Sequence, residues 1–315
     1  MFLRLGRQGD VLLLAVAMVW GSSYLAAKVL VVAGGVLAVL ALRFVVSSLA
    51  MSVVVAVRRP RRPGRRELVV GTLLGVTQSA VLALETYGVS LTSATNAGVL
   101  ISLTILLTPI LEGATGRRWL PPRFFLAAGL AFAGVVLLVA GPGLRAPSIG
   151  DGLMLAAAVV RAVHVTLSGH LTHGRSYDTV TLTTLQTAVG SIAFTAVAAP
   201  TLSSAVHGYG LTQWLGVLYL ALGCSVFAFL VQLWAIRRTS AARASLLLGT
   251  EPVWAVLVGV GIGGEHLTAA TVAGIALVLV GTYWGQRAET DHRLDSPPRK
   301  APPQTRVVVS GRAAE

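Results

Sequence analysis

Residues 9–19 read Gly-Asp-Val-Leu-Leu-Leu-Ala-Val-Ala-Met-Val, and residues 150–160 read Gly-Asp-Gly-Leu-Met-Leu-Ala-Ala-Ala-Val-Val. The two stretches share Gly-Asp, then Leu12/Leu153, Leu14/Leu155, Ala15/Ala156, Ala17/Ala158 and Val19/Val160. A second set of matches follows. Thr92-Ser93-Ala94, Ala97, Leu100, Leu120 and Gly134 return as Thr239-Ser240-Ala241, Ala244, Leu247, Leu267 and Gly281. The chain therefore repeats once, and each copy is apolar almost throughout.

Working outward, about ten apolar segments lie at 11–32, 36–57, 68–88, 96–114, 124–141, 152–172, 179–199, 213–236, 244–262 and 268–286. A helix crosses a bilayer of about 30 Å in about 20 residues, and only a helix or a closed barrel satisfies the backbone inside lipid. Composition agrees: of 315 residues, 55% are hydrophobic and 12% charged. Soluble chains carry about 25% charged residues, too many for this sequence to match and still coat a globular surface. The expected fold class is an all-α membrane protein with ten transmembrane helices in two five-helix repeats. The repeats span 10–141 and 150–286, and a disordered, proline-containing tail is expected at 287–315. Because five is odd, the two repeats enter the membrane in opposite orientations. Inverted repeats of this kind characterise secondary transporters, with the substrate near the midplane.

The formal net charge is +13. Such a balance suits nucleic acid, anionic lipid or topology signals in short loops. Placing both termini inside puts 21 of the 25 Lys and Arg residues in inner segments and only Arg145 outside. Lys28, Arg43 and Arg161 fall within spans. This is the positive-inside pattern, so the charges mark topology and no nucleic-acid partner is expected. Arg4 and Arg7 precede the first apolar run, and Ala15-Val16-Ala17 lies inside that run, so it reads as a retained span. The single cysteine, Cys224, excludes a disulfide framework. Neither lysine follows a glycine, which excludes a P-loop, and no HExxH or GxSxG occurs. No cofactor, metal or enzymatic activity is expected.

Trp20-Gly21-Ser22-Ser23-Tyr24 with Lys28 resembles the first-helix motif of the EamA-type drug/metabolite transporters. The resemblance continues through Leu42-Arg43-Phe44, both Thr-Ser-Ala triplets, Leu248-Gly249-Thr250-Glu251-Pro252-Val253 and Gly264-Glu265-His266-Leu267. It implies a ten-helix carrier in the inner membrane that moves small metabolites or drugs, often outward, through a central cavity. The chain departs from the family pattern at Ile105, where a proline is usual, and at Gly116-Arg117-Arg118, where Gly-Glu-Arg is expected. It departs again at Arg161, the second-half counterpart of Trp20.

Ionisable residues inside a span cost about 2.5–3.5 kcal/mol each and ask for a partner or a wet cavity. Arg43, Glu85, Arg161, His164 and Glu251 stand in that position. Arg161, His164 and Ser168 share one helical face and suit an anionic or zwitterionic solute; the alternative is that Arg161 pairs with Glu85 or Glu251 while His164 is core. Glu251 precedes Pro252, whose ring removes a backbone donor. Trp20 and Tyr24 lie one turn apart and either line the cavity or pack against a neighbour. The expected substrate-binding set is Trp20, Tyr24, Arg43, Glu85, Arg161, His164 and Glu251. The expected partners are a small-molecule substrate, the lipid bilayer and a possible second copy of the chain. Proton antiport, exchange and facilitation all stay open. So do a lipid-linked flippase and, more remotely, a membrane-embedded sensor or enzyme.

Overall fold

A computed structural model describes residues 2–92, 97, 100–116, 119–139, 148–254, 256–257 and 268–295. The described residues are helical almost throughout. Helix α1 (Phe2–Arg58) is followed by α2 (Arg65–Leu91), α3 (Thr104–Gly116), α4 (Pro122–Val139), α5 (Ile149–Thr172) and α6 (Thr179–Gly208). Then come α7 (Leu211–Arg238), α8 (Ala241–Leu248) and α9 (Ala269–Asp295). Among the described residues six helices are long and apolar enough to cross a membrane; Gln8–Ser23, Leu100–Thr115 and Pro122–Leu137 are apolar but shorter.

The predicted boundary between the first two spans is real, although the helix runs through it. Gly35 sits at φ 77°, ψ 162° and splits α1 into two arms. A positive φ is cheap only for glycine, so Gly35 is where the chain can turn without strain. Counting those arms separately, the helices labelled here number ten, five within residues 2–139 and five within residues 149–295.

Packing between the halves is reciprocal. Helix α1 packs on α6 and α7, α2 packs on α5 and α6, and α4 packs on α9. Each half thus buries its apolar faces against the other. At the centre Phe44 stacks against Phe194 (5.2 Å) and Phe229 (6.4 Å), and its ring lies over Gly190, where a Cβ would strike it. Outward faces stay apolar, with Leu49, Val53, Ile192 and Val197 exposed. That is the surface a helix presents to lipid.

Two expectations are corrected. Residues 287–295, expected to begin a disordered tail, are helical, because α9 continues to Asp295. Ala288 and Glu289 are buried, and Glu289 accepts hydrogen bonds from Ser240 and Arg243, which anchors the extra turns. The fourth span, placed roughly over 96–114, is interrupted at Leu103. Residues 296–315, the 264–267 motif and Arg145 lie outside the described residues, as do the side chains of Tyr24 and Lys28.

Candidate functional site

The interruption at Leu103 has a twin. Helix α8 ends at Leu248, Gly249 and Thr250 form a turn, and helix resumes at Glu251. The spacing that relates Thr92-Ser93-Ala94 to Thr239-Ser240-Ala241 carries Leu103 onto Thr250, so both fourth helices break at equivalent places. Local chemistry explains the breaks. Thr104 Oγ1 donates to the Ile101 carbonyl (2.9 Å) and Thr250 Oγ1 to the Leu247 carbonyl (2.7 Å), each competing with the backbone ladder. In the second half Pro252 also lacks the N–H that would continue the helix.

The two breaks touch. Ser245 Oγ donates to the Thr104 carbonyl (2.7 Å), and a Cβ at Gly249 would collide with the Ile105 side chain. Between them lies a narrow cleft with room for about one water molecule. Ile101, Ser102 and Thr104 line it from one break; Ser245, Leu248, Gly249 and Glu251 line it from the other. Arg161 and Val165 of α5 and Gln232 of α7 complete the wall.

Arg161 is the electrostatic centre. Its Nη2 lies 3.1 Å from Glu85 Oε2, its Nη1 lies 3.4 Å from Glu251 Oε2, and its Cζ sits 5.0 Å from the centroid of the Trp20 ring. A guanidinium between two carboxylates and over an indole face is held by charge-assisted hydrogen bonds and a cation–π contact. Trp20 is fixed in turn: its Nε1 donates to the Cys224 carbonyl at 2.9 Å. Arg43 Nη2 donates to that same carbonyl (3.0 Å), and Arg43 Nε donates to Ser225 Oγ (2.7 Å). Residues Tyr219–Phe227 of α7 form a π-helical stretch, which changes the carbonyl register where Trp20 and Arg43 arrive.

The repeat makes sense of this cluster. Trp20 and Arg161 are counterparts, and they stack on each other. Glu85 and Gln232 are counterparts under the spacing of the Thr-Ser-Ala triplets; one pairs with Arg161 and the other lines the cleft. Thr104 and Glu251 are counterparts at the two breaks. In each pair one member is charged and one neutral. Equivalent positions converge on one place, and the two halves differ there in charge.

Of the expected residues, the structure brings together Trp20, Glu85, Arg161 and Glu251, with Arg43 joined through the Cys224 carbonyl. His164 lies elsewhere: its Nδ1 is 2.8 Å from Thr77 Oγ1 on α2, and it is buried. The face expected to carry Arg161, His164 and Ser168 together is rotated, so Arg161 and Val165 meet the cleft. Sequence reasoning missed Ser102, Thr104 and Ser245 as lining residues, since serines and threonines abound in these helices. The repeat spacing applied to Glu251 would have found Thr104.

A second charged assembly closes the end of the bundle where the basic loops gather. Arg243 binds Asp10 through Nη2–Oδ2 (2.6 Å) and Nε–Oδ1 (2.8 Å), and Glu289 through Nη1–Oε2 (3.1 Å). Glu112 accepts from the backbone N–H groups of Ala241 (3.4 Å) and Ala242 (2.7 Å), capping the start of α8 where the helix dipole favours a carboxylate. At the opposite end Asp151, the counterpart of Asp10, accepts from Thr92 Oγ1 at 2.5 Å. The acid of each Gly-Asp pair thus meets a residue of the other half: Asp10 pairs with Arg243, and Asp151 accepts from Thr92.

Residues 7–140 and 148–284 each match the EamA-like transporter family. The chain belongs to that family. It is a multi-pass membrane transporter rather than an enzyme. It is 27% identical over 267 residues to an uncharacterized transporter of Archaeoglobus fulgidus, covering 84% of this chain and 93% of that one. It is 25% identical over 282 residues to the uncharacterized inner membrane transporter YedA of Escherichia coli K12, covering 86% and 90%. A crystal structure 18% identical in sequence superposes with a TM-score of 0.73, covering 92% of this chain and 99% of that one, and shares its fold.

Proposed function

We propose that this EamA-family chain is an inner-membrane secondary transporter that exports small amino-acid-like or drug-like metabolites. It works by alternating access around the cleft at the paired helix breaks, with its two halves as inverted repeats and both termini in the cytoplasm. The observation that carries this reading is the pair of interrupted helices whose broken turns face each other across a cleft that Arg161 and Glu251 reach. Broken helices at the bilayer midplane expose backbone groups only where they line a cavity, and there they bind solutes. The site offers both signs of charge. A zwitterionic solute satisfies it by placing its carboxylate at Arg161 and its ammonium at Glu251 or Glu85, exchanging an internal ion pair for two intermolecular ones. The ionised groups that meet at the cleft, Arg161 and Glu251, favour a small charged or zwitterionic cargo over a lipid-linked one.

Purified protein in mild detergent, screened by thermal shift against amino acids, nucleosides, cationic drugs and lipid carriers, tests this. Hydrophilic hits that Glu251→Gln abolishes support the reading. Stabilisation only by lipid carriers replaces it with a flippase.

Alternating access also assigns the Asp10–Arg243–Glu289 assembly as the inner gate. Arg243→Gln removes the ion pair and leaves Asp10 facing Glu289. In that variant Ser102→Cys, placed in the cleft, should react with a bulky maleimide about tenfold faster from the basic end than in the Arg243 background. Cys224 is fully buried and adds little background. Equal rates would remove Arg243 from gating.

A further inference from the structure

The loop between α1 and α2 reads Arg58-Arg59-Pro60-Arg61-Arg62-Pro63-Gly64-Arg65-Arg66. Topology asks only that such bases lie on one side; it does not ask for this geometry. Arg61 is spent internally: its Nη2 lies 3.1 Å from Glu67 Oε2 and 2.8 Å from the Ser176 carbonyl. Glu67 itself is buried and also accepts from the Asp178 N–H (2.7 Å), while Asp178 caps α6 through Thr181. The neighbouring carboxylates are thus turned inward; Arg58, Arg59, Arg62, Arg65 and Arg66 stand exposed, and among the described residues none of them forms an ion pair.

The loop is also stiff. Arg59 adopts φ 45°, a left-handed conformation that costs energy for a non-glycine residue, and prolines follow at 60 and 63. Arg61 ties the loop to the α5–α6 connection, which adds exposed Arg175 to the same end. Directly below, α1 presents Val53 and Val57 (63% and 77% exposed), and α2 presents Leu68 and Val69 (41% and 60%). Uncompensated cations on a pre-shaped loop, continuous with apolar helix faces, match one ligand chemistry in both of its parts.

We propose that this loop is a binding site for an anionic diacyl phospholipid, its phosphate held by Arg59, Arg62, Arg65 and Arg66 and its acyl chains lying along Val53, Val57 and Val69. Clustered arginines beside a membrane helix attract anionic headgroups, and a shaped loop loses little entropy on binding. The site is separate from the central cleft, so its test does not depend on transport.

Purified full-length protein is titrated with phosphatidylglycerol or phosphatidylcholine in mixed micelles, and bound lipid is read by native mass spectrometry. Phosphatidylglycerol should be retained at least about tenfold better, and raising salt should erase the preference. A variant carrying Arg59→Gln, Arg62→Gln, Arg65→Gln and Arg66→Gln keeps Arg61 and should lose the preference with an unchanged melting temperature. A control with Arg299→Gln, Lys300→Gln, Arg306→Gln and Arg312→Gln should keep it. The proposal is overturned by equal retention of both lipids in the wild-type protein, or by a tail variant that loses as much as the loop variant. Full competition by inorganic phosphate also overturns it, since that would show an anion site with no role for the acyl chains. If the loop variant does not fold, the wild-type lipid ratio and its salt dependence decide alone.

Discussion

Replacing Arg161 with Met should destabilise the protein by about 3–5 kcal/mol and abolish transport. Arg161 lies between Glu85 and Glu251, with side-chain exposures of 11%, 13% and 4% for the three residues. Removing the guanidinium withdraws a counter-charge from both carboxylates, and taking one partner out of a buried ion pair is among the costliest single changes. The loss should be visible as a large fall in melting temperature in mild detergent. Adding Glu85→Gln and Glu251→Gln to Arg161→Met should recover most of the stability, because the charges are then absent rather than unpaired. Transport should not recover, since neither sign of charge is left to meet a solute. A triple variant as unstable as the single one would show that Arg161 contributes mainly through packing on Trp20. A triple variant that still transports would move the substrate site away from this cluster.

Gly281→Leu should be nearly as damaging, for a steric reason. Helices α4 and α9 cross so closely that a Cβ at Gly281 would lie 2.5 Å from the Ala131 N and 2.7 Å from the Ala127 carbonyl oxygen. Its repeat counterpart Gly134 is equally confined, 2.7 Å from the Val278 N and 2.8 Å from the Gly274 carbonyl oxygen. The obstructing atoms are backbone, so no side chain can swing aside and the helices must separate. Overpacking costs about 1–3 kcal/mol and more when backbone must move, so Gly281→Ala should sit in that range and Gly281→Leu above it. Gly129, also on α4, meets nothing within 4 Å, and Gly129→Ala should be neutral or stabilising by about 0.5–1 kcal/mol through helix propensity. Melting of the three variants in one detergent checks the order. If Gly281→Leu melts with the wild type, the close crossing of α4 and α9 is not a feature of the folded protein.

Much of the architecture was readable in advance because its causes are local. Apolar run length, loop charge and the recurring Gly-Asp and Thr-Ser-Ala blocks are properties of short segments, and they located the spans and the duplication. The gap left between spans 11–32 and 36–57 contains Gly35, whose positive φ splits α1 and which tolerates a backbone other residues resist. The end of α9 was missed because Gln286 to Asp295 looks like a soluble tail until Arg243 and Ser240 are there to receive Glu289. The break at Leu103 was missed because no proline marks it and a threonine hydroxyl is a weak signal. His164 was grouped with Arg161 by helical spacing, yet a helix has several buried faces, and spacing does not say which one meets the cleft.

By itself the sequence determined that this is a duplicated helical membrane protein with its bases gathered in the loops at one end, and that Arg43, Glu85, Arg161 and Glu251 were ionisable groups needing an explanation. Only the tertiary structure decided how they are explained. It paired Arg161 with two carboxylates from two other helices, seated it on its own counterpart Trp20, and bound Arg43 to the carbonyl of Cys224. Those partners lie between 76 and 181 residues apart in the chain. A charge buried in lipid must be neutralised by something, which the sequence can announce; the partner is set by how the two halves interlock, and that is a property of the folded bundle.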